Sequence, residues 1–284
     1  MGVVNPAAGG PVKKAPPVAS ITAVEEIRTR ALVLRRRPFG ESDWIVVLLT
    51  ESAGKLSAIA RGARRSRRRF AGPVLDPFQE VEARITRRPR SELAFLHECG
   101  LLKDRAALAS DPRAYAWACY ISELAERLTA ESDPCPALYR ELTAALDRLA
   151  PAEFAESSAH HFILRLLDHA GWRPDFERCQ RCHAPAWAAA MPLLDPGGAG
   201  IVCARHEAEE LGIDPHSPGF RPPRRVIDDR LLAYLRRVQE SPTGQAPPET
   251  LELAGRLLDR LIEIHLGQSL KSRAFLDHVR AADR

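Results

Sequence analysis

Near residue 103 the hydrophobic pattern of this 284-residue chain changes period, and no other feature constrains its fold as strongly. From about residue 27 to residue 102 the apolar residues come in short runs: TRALVLRRR, DWIVVLLTE, GKLSAIARG, PFQEVEARITRR and SELAFLHECGLL. β-Branched and aromatic residues fall inside these runs, and the turn-like pieces PFGES, SAG and RRPRS separate them, so five β-strands are expected. Five short strands in roughly 75 residues suit a small closed or nearly closed barrel. The five-stranded OB-fold is the commonest design of that kind that binds nucleic acid, and an SH3-like barrel fits the strand count equally well.

Beyond residue 103 the apolar spacing becomes helical. DPRAYAWACYISELAERL offers Asp111 as an N-cap and Pro112 in the first turn, with Ala118, Ile121, Ala125 and Leu128 on one face. PALYRELTAALDRL repeats the pattern through Leu138, Leu142, Leu146 and Leu149, and SSAHHFILRLLDHAG predicts a third helix ended by Gly171. His160 and His161, near the start of that helix, are expected to be solvated or to cap it. From Asp175 to about Phe220 the pattern lapses, Pro, Gly and the paired cysteines collect, and a loop-rich insert is expected. Helical spacing returns in DDRLLAYLRRVQE, ETLELAGRLLDRLIEIHLG and SRAFLDHVR, which are expected to pack back on the earlier helices. No repeat of solenoid period is present.

The insert holds CQRCH, Cys179 to His183, whose C-x-x-C-H matches zinc, redox and c-type haem patterns alike. CARH follows after twenty residues and supplies Cys203 and His206, giving C-x2-C-x20-C-x2-H. Zinc takes four soft or borderline donors in a tetrahedron, and an x2 spacing lets one tight turn aim two donors at one ion. PLLDPGGAGIV has the glycines for a hairpin that returns the second pair. His183 competes with His206 as fourth donor, but only His206 repeats the x2 spacing. Cys179, Cys182, Cys203 and His206 are therefore the expected ligands of one structural Zn2+, with no position open to water. Cys99, Cys119 and Cys135 lie in apolar stretches and read as core or boundary residues.

The first twenty residues lack the apolar block of a secretory signal and read as part of a tail over 1–26. A cytoplasmic location is expected, which disfavours covalent haem and a disulfide framework. No uninterrupted apolar run is long enough for a bilayer, so no membrane partner is expected. Net charge is only +4 and the isoelectric point about 8.8, so overall charge says little about nucleic acid.

Distribution says more. RGARRSRRR places Arg61, Arg64, Arg65, Arg67, Arg68 and Arg69 in one window without a carboxylate, and Arg84, Arg87, Arg88 and Arg90 follow. The first group falls on the connection between the third and fourth strands, beside Gly62 and Gly72, where a flexible loop would carry it. Arginine suits phosphate because its planar fork donates two parallel hydrogen bonds and stays charged. Phe70 and Phe78 flank the run, as stacking faces for bases or as core residues. Enzymatic signatures are lacking: no G-x-x-x-x-G-K-[ST], no H-E-x-x-H, and no H-x-E before the C-x-x-C.

Four stretches, in this order and spacing, resemble the RecO family of bacterial recombination mediator and DNA-annealing proteins. They are ALVLRRRPFGESDWIVVLLTESAGKLSAIARGARR, SRRRFAGPVLDPFQEVEARI, FILRLLDHAGWRPDFERCQRC and HLGQSLKSRAFL, and they span about Arg30 to Leu276. The resemblance implies an α+β multidomain chain: an N-terminal OB-fold over 27–103, then a helical domain over 104–284 with a zinc insert over 175–220. It implies binding of single- and double-stranded DNA and annealing of strands coated with single-strand-binding protein. It also implies action with RecR in helping RecA load, without catalysis. Members that keep the metal commonly use four cysteines, so His206 departs from that version. The DNA contacts expected are Arg61, Arg64, Arg65, Arg67, Arg68, Arg69, Arg87 and Arg88. A zinc-stabilised interaction scaffold and a zinc-dependent nucleic-acid hydrolase are the competing readings.

Overall fold

A computed structural model describes residues 24–88, 91–186, 192–195, 197–210 and 227–282. Most of the expected tail, Arg90 and the end of the expected insert near Phe220 lie outside the described residues.

Five strands form a closed barrel: β1 (Glu25–Phe39), β2 (Asp43–Thr50), β3 (Gly54–Ala60), β4 (Glu80–Arg87) and β5 (Ala94–Lys103). The order around the barrel is β1-β2-β3-β5-β4, closed by β4 against β1. A short parallel pairing of β3 with β5, Ala58 opposite Ala94 and Ile59 opposite Phe95, completes the ring. This Greek-key order is the OB-fold and removes the SH3-like alternative. The long β1 serves two partners, β4 along Glu25–Leu32 and β2 along Ala31–Phe39, and bends at a bulge between Val33 and Arg35.

Both faces of β1 and β2 are buried, which explains why ALVL and VVLL are continuous apolar runs rather than alternating ones. Ala31, Val33, Val46 and Leu48 point into the barrel, where the small Ala58 and Ala83 leave room for Leu56, Val81 and Ile85. Leu32, Leu34, Val47 and Leu49 point outward and join the core of the helices.

Beyond a 3-10 turn at Ala106–Ser110 come α1 (Pro112–Leu128), α2 (Pro136–Arg148) and α3 (Glu156–His169). Asp111 caps α1 as expected, accepting hydrogen bonds from the backbone N–H groups of Arg113 (2.7 Å) and Ala114 (3.1 Å). Gly171, at φ 79°, ends α3 and lets Trp172 N–H reach the Leu167 carbonyl at 2.8 Å. α5 (Asp229–Glu240), α6 (Pro248–Leu266) and α7 (Lys271–Ala282) pack back on α1 and α3 around Trp117, Tyr120, Phe162 and Tyr234.

His160 is neither solvated nor a cap. It is fully buried, its Nδ1 2.8 Å from the Tyr234 hydroxyl, and burial, reinforced by Arg280, pulls its imidazole down to about 3. His161 Nδ1 donates to the Val238 carbonyl at 2.7 Å. His160 is covered by Tyr234 of α5 and by Trp117 of α1, the Trp117 and His160 ring centroids 5.3 Å apart, and His161 reaches α5, contacts that the pattern of α3 alone does not include.

The insert is more regular than the composition suggested. β6 (Asp175–Cys179), β7 (Pro192–Leu194) and β8 (Gly200–Cys203) make a sheet of order β6-β8-β7, followed by α4 (Ala204–Glu210). These strands are three to five residues long, too short to give a period. Gly200 is required where β6 meets β8, because a Cβ there would lie 2.0 Å from the Asp175 carbonyl oxygen.

Candidate nucleic-acid interface and metal centre

The connection from β3 to β4 carries the arginine window, and its apolar residues determine how that window is held. Ala63, Phe70, Val74 and Leu75 fold into the barrel core, so the segment is anchored rather than a free loop. Asp43 Oδ1 accepts from Gly62 N–H at 2.8 Å and Arg64 N–H donates to the Ser42 carbonyl at 3.0 Å, tying the segment to the β1–β2 turn. The Gly62 hydrogen bond, with Ser42, holds the Asp43 carboxyl below its ordinary range. At the far end Cys99 N–H donates to the Arg69 carbonyl at 3.0 Å, adding the segment to β5.

Arg61, Arg64, Arg65, Arg67, Arg68 and Arg69 are all exposed. Among the described residues none of them is ion-paired; Arg64 and Arg69 donate only to backbone carbonyls, of Glu41 (3.1 Å) and Arg61 (2.9 Å). Six guanidinium groups on one anchored segment, without carboxylates, give an open field of positive charge. Arg88 is likewise exposed, on the β4–β5 connection. Arg87 differs, since its Nη2 is 2.6 Å from Glu25, and Arg84 is paired with both Glu26 and Glu98.

Phe70 and Phe78 are each 4% exposed, so neither offers a face to a base. Phe70 is a core anchor of the arginine segment; Phe78 packs edge-on to Tyr115 of α1, centroids 5.6 Å apart. Among the described residues of the barrel, Phe39 at the β1–β2 turn is exposed and Trp44 and Phe95 are half-buried; of these, Trp44 and Phe95 lie against arginines, and the sequence pattern did not single them out. Arg36 and Arg64 lie 4.7 and 5.7 Å from the Trp44 ring, and Arg61 and Arg88 lie 5.1 and 5.0 Å from Phe95. One signal for Trp44 was available in SDWIV: a large aromatic at a strand entrance directly after a polar turn.

A cleft of about 610 Å³ runs over the outer barrel face between β3, the β4–β5 connection and the α1–α2 connection, lined by Arg37, Ser57, Arg87, Leu93 and Glu131 among others. A smaller one of about 90 Å³ continues it through Arg37, Ser57 and Leu93 to Ile45 and Val47. In OB-folds oligonucleotides lie on the face of strands 2 and 3 between the β1–β2 and β4–β5 loops, and this cleft borders the second of these.

The barrel is locked to the helices by a buried ionic cluster. Glu80 on β4, 4% exposed, accepts from Arg105 (3.0 Å), from Arg30 (2.6 Å) and from the Tyr139 hydroxyl of α2 (3.0 Å). Arg105 also reaches Asp147 (2.8 Å) and the Phe78 carbonyl (3.2 Å). Burial opposes the charge on Glu80, but the hydrogen bonds from Arg105, Arg30 and Tyr139 outweigh it and hold its carboxyl below the ordinary value.

In the insert, Cys179, Cys182, Cys203 and His206 each offer one donor atom, all within 4.8 Å of one another. Cys179 Sγ is 3.9 Å from Cys203 Sγ and 3.7 Å from His206 Nδ1, with no disulfide; Cys203 Sγ is 2.9 Å from His206 Nδ1. Tetrahedral zinc with thiolate and imidazole donors has donor–donor edges of about 3.5–3.8 Å, so this set fits one ion. The knuckle is built by backbone: His183, at φ 58°, donates its N–H to the Cys179 carbonyl at 2.9 Å and turns the chain. Backbone N–H groups of Arg181 (3.5 Å) and Cys203 (3.4 Å) point at Cys179 Sγ. Burial raises the Cys179 thiol, but these and the Cys182 amide overcome it, so the net shift is downward and favours the thiolate a metal needs. His183 is thus a turn residue and not a donor in the set.

Cys99 is pushed up to about 12 and Cys119 to about 11 by burial, which keeps both as protonated thiols. Among the described residues no helix is long and apolar enough to cross a membrane.

An OB barrel with an open arginine field, locked to a helical bundle that carries a Cys3His cluster able to hold a metal ion, defines a DNA-repair class of protein. The family model described as "Recombination protein O N terminal" matches residues 24–105, and that described as "Recombination protein O C terminal" matches residues 109–274. The chain belongs to the RecO family of DNA repair and recombination proteins. A relative named DNA repair protein RecO, from Anaeromyxobacter sp. (strain K), is 35% identical over 261 residues, 90% of this chain and 98% of its own. The one from Myxococcus xanthus (strain DK1622) is 36% identical over 250 residues, 88% of this chain and 96% of its own. That from Geobacter metallireducens is 32% identical over 256 residues, 90% and 99% respectively.

Proposed function

We propose that this chain is a non-enzymatic mediator of DNA repair and recombination, a cytoplasmic protein acting at the nucleoid. It binds single- and double-stranded DNA and anneals complementary strands coated with single-strand-binding protein. With RecR it assists the loading of RecA. The observation that carries this reading is the set of six exposed arginines held on one barrel segment, none of them ion-paired among the described residues. Phosphate contacts from Arg61, Arg64, Arg65, Arg67, Arg68, Arg69 and Arg88 neutralise two approaching strands and lower the repulsion between them. Arg87 joins only by exchanging Glu25 for a phosphate. No bond in DNA is made or broken.

One Zn2+ held by Cys179, Cys182, Cys203 and His206 is structural in this proposal. Four protein donors complete a tetrahedron and leave no position for a water nucleophile, which argues against the hydrolase reading. The ion supplies cross-linking of β6, β8 and α4 and no chemistry at DNA.

The test is the annealing rate of two complementary oligonucleotides pre-coated with single-strand-binding protein, without ATP, against a control lacking this chain. Faster annealing, with about one zinc per chain by metal analysis, is the expected result. Absence of acceleration in zinc-loaded, folded protein leaves the scaffold reading.

A further inference from the structure

We propose that Trp44 and Phe95 are base-stacking platforms for single-stranded DNA, each gripped by arginines that reach the phosphates on either side of the stacked base. This rests on the DNA-binding reading above and specifies which feature of the strand the barrel end recognises.

Trp44 opens β2 and lies opposite Ala60; Phe95 lies on β5 opposite Ile59. Ala60 and Ile59 are consecutive on β3, so their side chains point to opposite faces, and the two rings stand on either side of the strand end. The next residue is Arg61, the root of the arginine segment. Its own guanidinium is against Phe95, while that of Arg64 is against Trp44. The segment thus links both rings, and Arg88 flanks Phe95 from the β4–β5 connection, while Arg36, over Trp44, is ion-paired with Asp76 and reaches a phosphate only by exchanging that partner.

Each ring is half-buried, which fixes it without hiding it. Trp44 is seated partly against the barrel core. A lone exposed aromatic on a surface needs no explanation. Two, each with a pair of guanidinium groups within 6 Å of its centroid, at the root of the unpaired arginine field, match what an unstacked base requires. The base takes the π-face from a guanidinium that lies over it, and the displaced cation takes the adjoining phosphate. Stacked bases in a duplex present no such face, so the platforms select single strands, while the arginines serve both forms.

Affinities would be measured for oligothymidylate, for an abasic strand of equal length and charge, and for duplex, as salt is varied. Wild-type protein is expected to bind the abasic strand roughly tenfold more weakly than oligothymidylate. The double variant Trp44→Leu, Phe95→Ala should erase that difference, with abasic affinity, duplex affinity and salt slope unchanged. Trp44→Phe alone should retain it, since a ring remains. Equal binding of both strands by the wild type would overturn the proposal while leaving phosphate binding intact. A double variant that loses abasic and normal strands alike would overturn it too, by making the rings structural. If neither strand binds at moderate salt, the DNA-binding reading itself falls, and the proposal with it.

Discussion

Two groups of arginines on the same barrel have opposite fates. The segment Arg61–Arg69 carries six that are exposed and, among the described residues, not ion-paired, whereas at the seam Arg105 and Arg30 converge on Glu80, with Arg105 also held by Asp147. Residue type is identical; what differs is whether a carboxylate is brought within reach. At the seam Arg105 and Glu80 are buried, so a missing partner there is costly and both are matched, while Arg30 reaches Glu80 from a more exposed position. On the segment water solvates the cations, their mutual repulsion is screened, and among the described residues only backbone carbonyls, of Glu41 and Arg61, take hydrogen bonds from Arg64 and Arg69. An arginine count therefore overstates the charge available to a ligand, and the pairing pattern corrects it.

The comparison can be broken first at the seam. Arg105→Ala should destabilise the fold by about 3–5 kcal/mol in urea unfolding, because it strands the buried Glu80 carboxylate. A loss below about 1 kcal/mol would mean that the seam behaves like the surface. The same carboxylate predicts a pH dependence: its pKa is depressed in the fold, so its contribution is present above the ordinary carboxylate value and fades as pH falls through it.

A second test concerns burial without pairing. His160 is held at about 3 in the fold against 6.5 when unfolded, so the unfolded chain binds the extra proton and stability falls as pH drops through that window. The slope is at most about 1.4 kcal/mol per pH unit from this group, and His160→Gln should remove it.

On the open segment the effect should fall on binding. Arg67→Ala with Arg68→Ala should leave unfolding within about 0.5 kcal/mol of wild type. The same pair should reduce the log–log salt slope for single strands by about 1.4, at roughly 0.7 per lost phosphate contact. An unchanged slope would remove both from the interface. Smallest of all, Arg87→Ala should change the slope by clearly less than either, since its guanidinium already serves Glu25.

Much of this was legible in the residues. The five strands and the switch to helices follow from apolar period, and the Asp111 cap and Gly171 stop from local backbone chemistry. The Cys3His cluster that could hold a metal ion follows from the doubled x2 spacing, because a tight turn is a local object. Phe70, Phe78, His160 and the strands of the insert were not legible in the same way. Whether an aromatic beside an arginine run faces a base or a core depends on what folds over it. For Phe70 that is the barrel interior, and for Phe78 it is α1. His160 is buried by Trp117 of α1 and by Tyr234 of α5, the latter more than seventy residues away in sequence.

The sequence by itself determined the order of elements, the placing of six arginines on one connection without an intervening carboxylate, and the pairing of the Cys3His residues that could hold a metal ion. These depend on spacing along the chain, which a reader of residues sees directly. Only the tertiary structure decided which arginines remain unpaired, which aromatics reach solvent beside them, and how the barrel locks to the helices. Those depend on distances between residues far apart in sequence, such as Arg87 to Glu25 and Arg105 to Glu80. Coulomb attraction and desolvation act through space, and no linear pattern carries that information.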